Sequence, residues 1–453
     1  MHPDRTTHAP TPATTRSPRP VQDGGLLRLV TAGSVDDGKS TLVGRLLYDT
    51  KSVLADQLDA VRQASIDRGM ATPDLSLLVD GLRSEREQGI TIDVAYRYFS
   101  TPRRSFVLAD TPGHVQYTRN TVTGASTAQL GLLLVDARKG VVAQTRRHLA
   151  VLALLGVRHL TLAVNKIDLV GYDEAVFTAV AEEFTARAQA LGYPAARLHA
   201  LPVSALTGDN VAGLSHRTPW YQGPSLLAHL ETVPVESGLH RAPFRFPVQG
   251  VIRPRTAQHR DYRGYCGRIG SGSVSTGDEV TVCPGGHGTR IARIDTPEGP
   301  VRTARAGQSV TLLLDDELGV ERGDLIASDP LPWPVTTFDA TVCWLAEAPL
   351  FAGSRLLIKH GTRTTQAVVT DLPSLFDEQN LTVVPGPECL SLNDIGHIAV
   401  RTATPLPVDN YAAIPATGSF ILIDPRDGQT MAAGLVGTPY AGDRPNGQQG
   451  TAP

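Results

Sequence analysis

The sequence predicts a mostly parallel α/β sheet with helices on both faces, followed by two β-barrels. Between Leu26 and Val233 short apolar runs alternate with longer helical patterns, the rhythm of strands joined by crossover helices. Within that stretch, Gly33-Ser34-Val35-Asp36-Asp37-Gly38-Lys39-Ser40 reads G-x-x-x-x-G-K-S between one such run and one such pattern, where a phosphate-binding loop (P-loop) belongs. After Pro234 the helical patterns stop and short β-rich runs take over, broken by turn residues at spacings of about 8–12.

The elements follow in order. Strands are expected at 27–32, 106–109, 130–136, 160–164 and 199–203, whose continuous apolar character marks burial on both faces. Helical patterns cover 39–48, 143–155 and 173–190. The run 90–98 alternates instead, with Ile92, Val94 and Tyr96 or Tyr98 as candidates, and a short turn separates it from 106–110. An antiparallel hairpin at the sheet edge is therefore expected. Further on, 268–270, 272–274, 277–282 and 323–326 fit a small barrel with hairpin turns at Ser271-Gly272 and Thr276-Gly277-Asp278. Pro330-Leu331-Pro332-Trp333-Pro334 reads as a stiff linker. The runs 338–344, 354–358, 364–370, 398–404 and 418–423 suggest another barrel. The expected division is a disordered extension at 1–24, a nucleotide domain at 25–235, barrels at 243–330 and 336–440, and a disordered Gly/Gln/Pro tail at 441–453.

The 453 residues are enough for three domains of roughly 150 each, so a single disulfide-stapled module is excluded. Lys+Arg 42 against Asp+Glu 45 leaves −3, which excludes a polyelectrolyte that coats nucleic acid or anionic lipid. No apolar run reaches the ~20 residues of a membrane helix. The first 24 residues, rich in Thr, Pro and Arg, lack the apolar stretch of a secretory signal, so a cytoplasmic chain is expected. Cys266, Cys283, Cys343 and Cys389 form no C-x-x-C pair and are read as ordinary interior residues. Only five of the basic residues are lysines: Lys39, Lys51, Lys139, Lys166 and Lys359.

The chemistry lies in the first domain. Gly33 and Gly38 let the loop curl so that backbone N–H groups from Ser34 to Thr41 converge on phosphates at the start of a helix. Lys39 is placed to reach the β- and γ-phosphates and Ser40 to hold Mg²⁺. Asp110-Thr111-Pro112-Gly113-His114 leaves the expected strand 106–109. There Asp110 can hold the magnesium, the Gly113 N–H can meet the γ-phosphate, and His114 can position the attacking water. Asn165-Lys166-Ile167-Asp168 follows 160–164. Asp168 can accept from both the ring N–H and the amino group of guanine, a pair adenine lacks, so GTP is the expected nucleotide. Lys166 is expected over the base and Asn165 as a tie to the P-loop. A backbone N–H in Ser204-Ala205-Leu206 can meet the guanine oxygen. Two of the five lysines thus fall where this chemistry needs them. Gly89-Ile90-Thr91-Ile92-Asp93 sits where a nucleotide-sensitive switch belongs, Thr91 being a further Mg²⁺ ligand. Lys39 and His114 are the expected catalytic residues.

These motifs resemble the translation-factor class of GTPases, in which an α/β P-loop GTPase domain precedes two β-barrels. Within it the chain is similar to the GTPase subunit family of the bacterial two-subunit sulfate adenylyltransferases (ATP sulfurylases). The resemblance covers nearly the whole chain. It is carried by the P-loop through Thr41, by Leu77-Leu78-Val79-Asp80-Gly81-Leu82, by 83–93 and by Gln116-Tyr117-Thr118-Arg119-Asn120. Gly208-Asp209-Asn210-Val211, Pro219-Trp220-Tyr221 and Phe246-Pro247-Val248-Gln249 add to it, while Val115 stands where that family shows a polar residue. The resemblance implies a heterodimer or larger assembly with a small subunit that transfers the adenylyl group of ATP to sulfate. GTP hydrolysis here would then drive formation of adenylyl sulfate and pyrophosphate. No second G-x-x-x-x-G-K-[ST] follows, so kinase activity is not expected. The competing reading is an elongation-factor-like carrier of aminoacyl-tRNA or other RNA, drawing on Arg241, Arg245, Arg253, Arg255, Arg260, Arg263 and Arg268 with Tyr262 and Tyr265 between them.

Overall fold

The computed structural model describes residues 25–67, 69–70, 73–79, 94–112, 118–234, 238–254, 262–377, 379–380 and 382–437. The two expected tails, the switch residues Gly89, Ile90, Thr91, Ile92 and Asp93, and Gly113 and His114 lie outside them. Six strands make the first sheet: β1 (Leu26–Gly33), β2 (Ala95–Ser100), β3 (Ser105–Asp110), β4 (Leu130–Asp136), β5 (His159–Asn165) and β6 (Leu198–Pro202). Their order is β2-β3-β1-β4-β5-β6, parallel throughout except for the antiparallel β2–β3 pair at one edge.

Burial on both faces explains why these runs are apolar at most positions and do not alternate with polar residues. Leu27 and Leu29 of β1 and Leu132 and Leu134 of β4 face helices α1 (Lys39–Asp49) and, late in the domain, 226–232, through Leu42, Leu46, Leu226 and Leu230. Val30, Ala32, Leu133 and Val135 face the opposite way. Beyond α2 (Ala55–Asp67), that second layer is α3 (Thr118–Ala125), α4 (Ala143–Leu154) and α5 (Glu174–Ala190), which contribute Val122, Leu149, Leu152 and Phe184. The last helix of the domain, α6, is Leu226–Thr232. Asp173 caps α5, its Oδ1 accepting from Ala175 N at 2.7 Å, so the helix begins one residue after its apolar pattern. The edge hairpin forms, but the inward face of β2 differs from expectation. Tyr96 and Tyr98 are exposed, while Phe99 is buried and stacks on Phe106 at 4.5 Å. Val94, of the expected phase, does pack half-buried against the core, so the segment buries side chains on both faces of the sheet.

The second half is all-β apart from short turns of helix. One barrel is built on Arg245–Pro247, Gly264–Arg268, Glu279–Cys283, His287–Thr296, Ser309–Leu314 and Leu325–Ala327 around Phe246, Tyr265, Ile291 and Leu312. The expected hairpin turns are not hairpin turns. Gly264–Arg268 pairs with Ser309–Leu314, Ser273–Ser275 with Thr303–Arg305, and Glu279–Cys283 with His287–Thr296 and Leu325–Ala327. Gly272 serves close packing instead: at φ +73° a Cβ there would lie 2.6 Å from the Phe244 backbone. The other barrel closes where Arg355–His360 pairs with Arg363–Asp377 around Trp344, Ile358, Val400 and Leu422. Its first strand, Trp333–Trp344, begins inside the expected linker: Trp333 and Pro334 pair with Val408 and Pro407. Two prolines opposite each other leave no ladder donor wasted at that frayed end. Cys283 and Cys343 are buried, whereas Cys266 and Cys389 are half-buried rather than interior.

Two contacts weld the parts together. Arg245, 1% exposed, grips Asp409 of the last barrel at 2.8 and 3.1 Å and also donates to the Phe244, Ser328 and Pro330 carbonyls. Arg245 is therefore withdrawn from the set of arginines that could meet an RNA phosphate, and residues 255–261 of that stretch lie outside the described residues. The Tyr411 hydroxyl donates to Leu155 O at 2.7 Å, and Cys343, Leu345, Phe376, Ile395 and Leu435 join the core of the first domain.

Candidate nucleotide-binding site

The site forms at the carboxyl ends of the parallel strands, where β1 is flanked by β3 and β4, the point at which ligands bind in such sheets. Between β1 and α1 the loop bends through Asp36 at φ 67° and Gly38 at φ 92°. Gly33 and Gly38 are needed for space as well: a Cβ would fall 2.8 Å from Leu134 O and 2.4 Å from Asn165 Nδ2 respectively. Val35 is exposed, and Ser40 and Thr41 are half-buried in the first turn of α1.

The loop is closed on itself by two buried charges. Lys39, 7% exposed, donates from Nζ to Gly33 O at 2.7 Å and Ser34 O at 2.9 Å. Burial lowers its pKa from the ordinary lysine value, opposed by the nearby Asp110, Asp37 and Asp36 carboxylates. Asp37 is 2% exposed and its Oδ2 accepts from Ser34 N at 2.6 Å; burial pushes its carboxyl up, against the Ser34 hydrogen bond and the Lys39 charge. Asp110 ends β3 fully buried, its Oδ1 accepting from Thr31 Oγ1 at 2.7 Å. Thr111, also buried, donates to Thr31 O at 2.6 Å, and Pro112 is buried beside it. Strand β1 thus clamps the start of that loop.

On the far side Asn165 is the central tie. Its Nδ2 donates to Asp37 O at 2.7 Å and its Oδ1 accepts from Ala205 N at 2.9 Å, so one buried side chain joins the P-loop to the loop after β6. Lys166, at φ 60°, donates to Asp36 O and pairs with Asp136 Oδ2 at 3.1 Å. Ile167 anchors the turn in the core, and Asp168 is half-buried in a short 3-10 turn. Ser204 and Ala205 are buried, while Leu206 is 63% exposed. The structure therefore brings the P-loop, Asp110, Asn165, Lys166, Asp168 and the 204–206 loop together along the carboxyl ends of the strands.

Sequence reasoning missed the supports of this arrangement. Asp136 is fully buried at the end of β4, in register with Asn165, and accepts from Arg138 N, Nε and Nη2 at 3.0, 3.0 and 2.7 Å. Burial alone would raise its pKa, but the Arg138 and Lys166 hydrogen bonds hold its carboxyl well below the usual range. An acid at the end of an apolar run was its visible signal. Asp209 accepts from Ser215 Oγ, Thr207 Oγ1 and Tyr172 OH at 2.6, 2.5 and 2.9 Å. Asn210, at φ 58°, bonds Pro202 O, Thr218 Oγ1 and Ser215 N, and Trp220 Nε1 donates to Tyr172 O at 3.0 Å. These bonds give Gly208-Asp209-Asn210 and Pro219-Trp220-Tyr221 a physical role: they buttress the 204–206 loop.

Comparison with known proteins agrees with this geometry. Residues 25–235 match the elongation factor Tu GTP binding domain and residues 337–437 the GTP-eEF1A C-terminal domain-like family. The chain is 48% identical over 423 residues to "Sulfate adenylyltransferase subunit 1" of Citrobacter koseri, covering 92% of this chain and 87% of that one. It is 46% identical to the protein of that name from Alteromonas mediterranea, covering 92% and 88%. With "Bifunctional enzyme CysN/CysC" of Mycobacterium tuberculosis (strain ATCC 25618 / H37Rv) it shares 53% identity over 413 residues, 91% of this chain and 67% of that longer one. A G-x-x-x-x-G-K-S loop, a guanine-type N-K-x-D turn and these likenesses over nine tenths of its length lead to one conclusion: the chain belongs to the sulfate adenylyltransferase subunit 1 family.

Proposed function

We propose that this chain is the GTP-hydrolysing subunit of a sulfate adenylyltransferase, working in the cytoplasm in sulfate activation. GTP and water become GDP and phosphate here; a partner small subunit converts ATP and sulfate to adenylyl sulfate and pyrophosphate. Making that mixed anhydride is uphill, and hydrolysis biases the partner between states. The observation that carries the reading is Asn165, which ties the phosphate loop to both base-facing loops in one buried set of hydrogen bonds.

In this reading the N–H groups from Ser34 to Thr41 receive the phosphates at the start of α1. The nucleotide draws Lys39 Nζ from the Gly33 and Ser34 carbonyls toward the β- and γ-phosphates. Ser40 and Asp110 present a hydroxyl and a carboxylate, hard oxygen donors that suit Mg²⁺. They would hold it, and it would neutralise charge building on the phosphates. Thr91 would join them, Gly113 would meet the γ-phosphate, and His114 would orient the attacking water. Asp168 accepts from the guanine N1–H and amino group, and Lys166, pinned by Asp136, covers the ring. No helix among the described residues is long and apolar enough to cross a membrane.

The test is adenylyl sulfate formation by the chain co-expressed with its small subunit. Addition of GTP is expected to raise the yield, while a non-hydrolysable GTP analogue leaves it at the basal level. Yield independent of GTP, or no assembly with the small subunit, overturns the proposal.

A further inference from the structure

Helix α1 starts with Lys39 and Ser40 at the phosphate end, and six residues later, about 9 Å along its axis, it carries Arg45. The Arg45 guanidinium reaches out of the helix to a distant loop: Nη2 donates to Leu206 O at 2.5 Å and Nε to Ala205 O at 3.3 Å. Asp49, one turn on, steadies it at 3.8 Å.

Most N–H groups of that loop already have acceptors. Ser204 N donates to Asp209 O, Ala205 N to Asn165 Oδ1, Thr207 N to Ser204 Oγ and Gly208 N to Ser204 O. Among the described residues, Leu206 N is the donor of this stretch left without a protein acceptor. The Ala205 carbonyl and the Leu206 N–H are two ends of one planar trans peptide, pointing in opposite directions. By gripping that carbonyl on one side, Arg45 aims the N–H to the other. The 6-oxo group of guanine is an acceptor and the 6-amino group of adenine a donor, so an N–H aimed at that position distinguishes the two.

We propose that Arg45 is a positioning residue that sets the Leu206 N–H against the 6-oxo group of guanine. This rests on the reading of the site as a GTP site. It divides base recognition into two independent halves: Asp168 reads N1–H and the amino group, and the Arg45-held peptide reads the oxygen.

Calorimetric binding of GDP, IDP and 6-thio-GDP to the full chain tests both halves. IDP lacks only the amino group, and 6-thio-GDP replaces only the oxygen with a poor acceptor. One well-made hydrogen bond is worth up to about tenfold in affinity, so the unaltered chain is expected to prefer GDP over 6-thio-GDP by about that factor. Arg45→Met keeps the aliphatic stem and loses the donors. It is expected to weaken GDP about five- to tenfold, to shrink the GDP to 6-thio-GDP preference to about twofold or less, and to leave the GDP to IDP ratio unchanged. Arg45→Lys, which keeps a donor, is expected to recover part of the lost preference. An equal loss for all three nucleotides, or a 6-thio preference that survives in Arg45→Met, overturns this proposal alone. An unaltered chain that prefers GDP over neither analogue overturns the guanine reading, and this proposal with it.

Discussion

In the proposed site, one atom of Asp168 is expected to decide which base is read. Replacing a carboxylate oxygen with an amide nitrogen in Asp168→Asn turns an acceptor into a donor, which then faces the guanine amino group and matches the 2-oxo group of xanthine. GTP affinity is expected to fall at least about a hundredfold, since a buried donor facing a donor costs both pairing and desolvation, with xanthosine triphosphate gaining in compensation. Competition binding with the two nucleotides checks it, and an unchanged preference for GTP would remove Asp168 from base recognition. As a candidate the residue was legible in the sequence because Asn165-Lys166-Ile167-Asp168 is a local pattern. Arg45 was not, since its partners Ala205 and Leu206 are 160 and 161 positions away and only the folded sheet brings them together.

At the scale of elements, the loop between β1 and α1 depends on Gly38. A methyl group there would meet Asn165 Nδ2 at 2.4 Å, on a backbone at φ +92°. Gly38→Ala is expected to break the Asn165 tie, cost about 1–3 kcal/mol of stability and abolish GTP binding; urea unfolding and calorimetry measure the two. The junction of β5, β6 and α6 is expected to be sensitive to acid. His229 stacks on His199 at 4.1 Å and meets Thr161 Oγ1 at 2.9 Å. Burial, with His199 and His159 nearby, lowers its pKa to about 3. Unfolded, it would titrate near about 6.5. The folded state refuses a proton that the unfolded chain accepts, so this contribution is full above pH ~6.5 and fades as pH falls toward the folded value. His229→Gln is expected to make stability less steeply dependent on pH between 7 and 5, measured by urea midpoints; an unchanged slope would show that His229 is not the group responsible.

At the scale of the whole molecule, the barrels are joined through Arg245 and Asp409. Removing one member of a buried ion pair leaves the other uncompensated. Arg245→Met is expected to destabilise the chain by about 3–5 kcal/mol and to separate the unfolding of the two barrels into distinct calorimetric transitions. Arg245→Met with Asp409→Leu is expected to recover much of the loss, because no stranded carboxylate remains. A single cooperative transition in Arg245→Met would mean that the remaining contacts suffice, among them Arg363 to Asp324 at 2.8 Å.

The sequence alone determined the sheet and the loops at its carboxyl ends, because apolar runs, glycines and the N-K-x-D turn act within a few residues of one another. Tertiary structure decided what adjacency in sequence does not carry. It set the barrel pairings, in which Gly272 serves close approach rather than a turn. It chose the inward face of β2, settled by Phe99 on Phe106. It turned Arg245 from a free cation into a buried bolt, and it gave Asp136 and Arg45 their hold on Lys166 and on the 204–206 loop. In each case the deciding partner lies far along the chain or on another strand, and the energy comes from burial and hydrogen-bond satisfaction that exist only once the chain has folded.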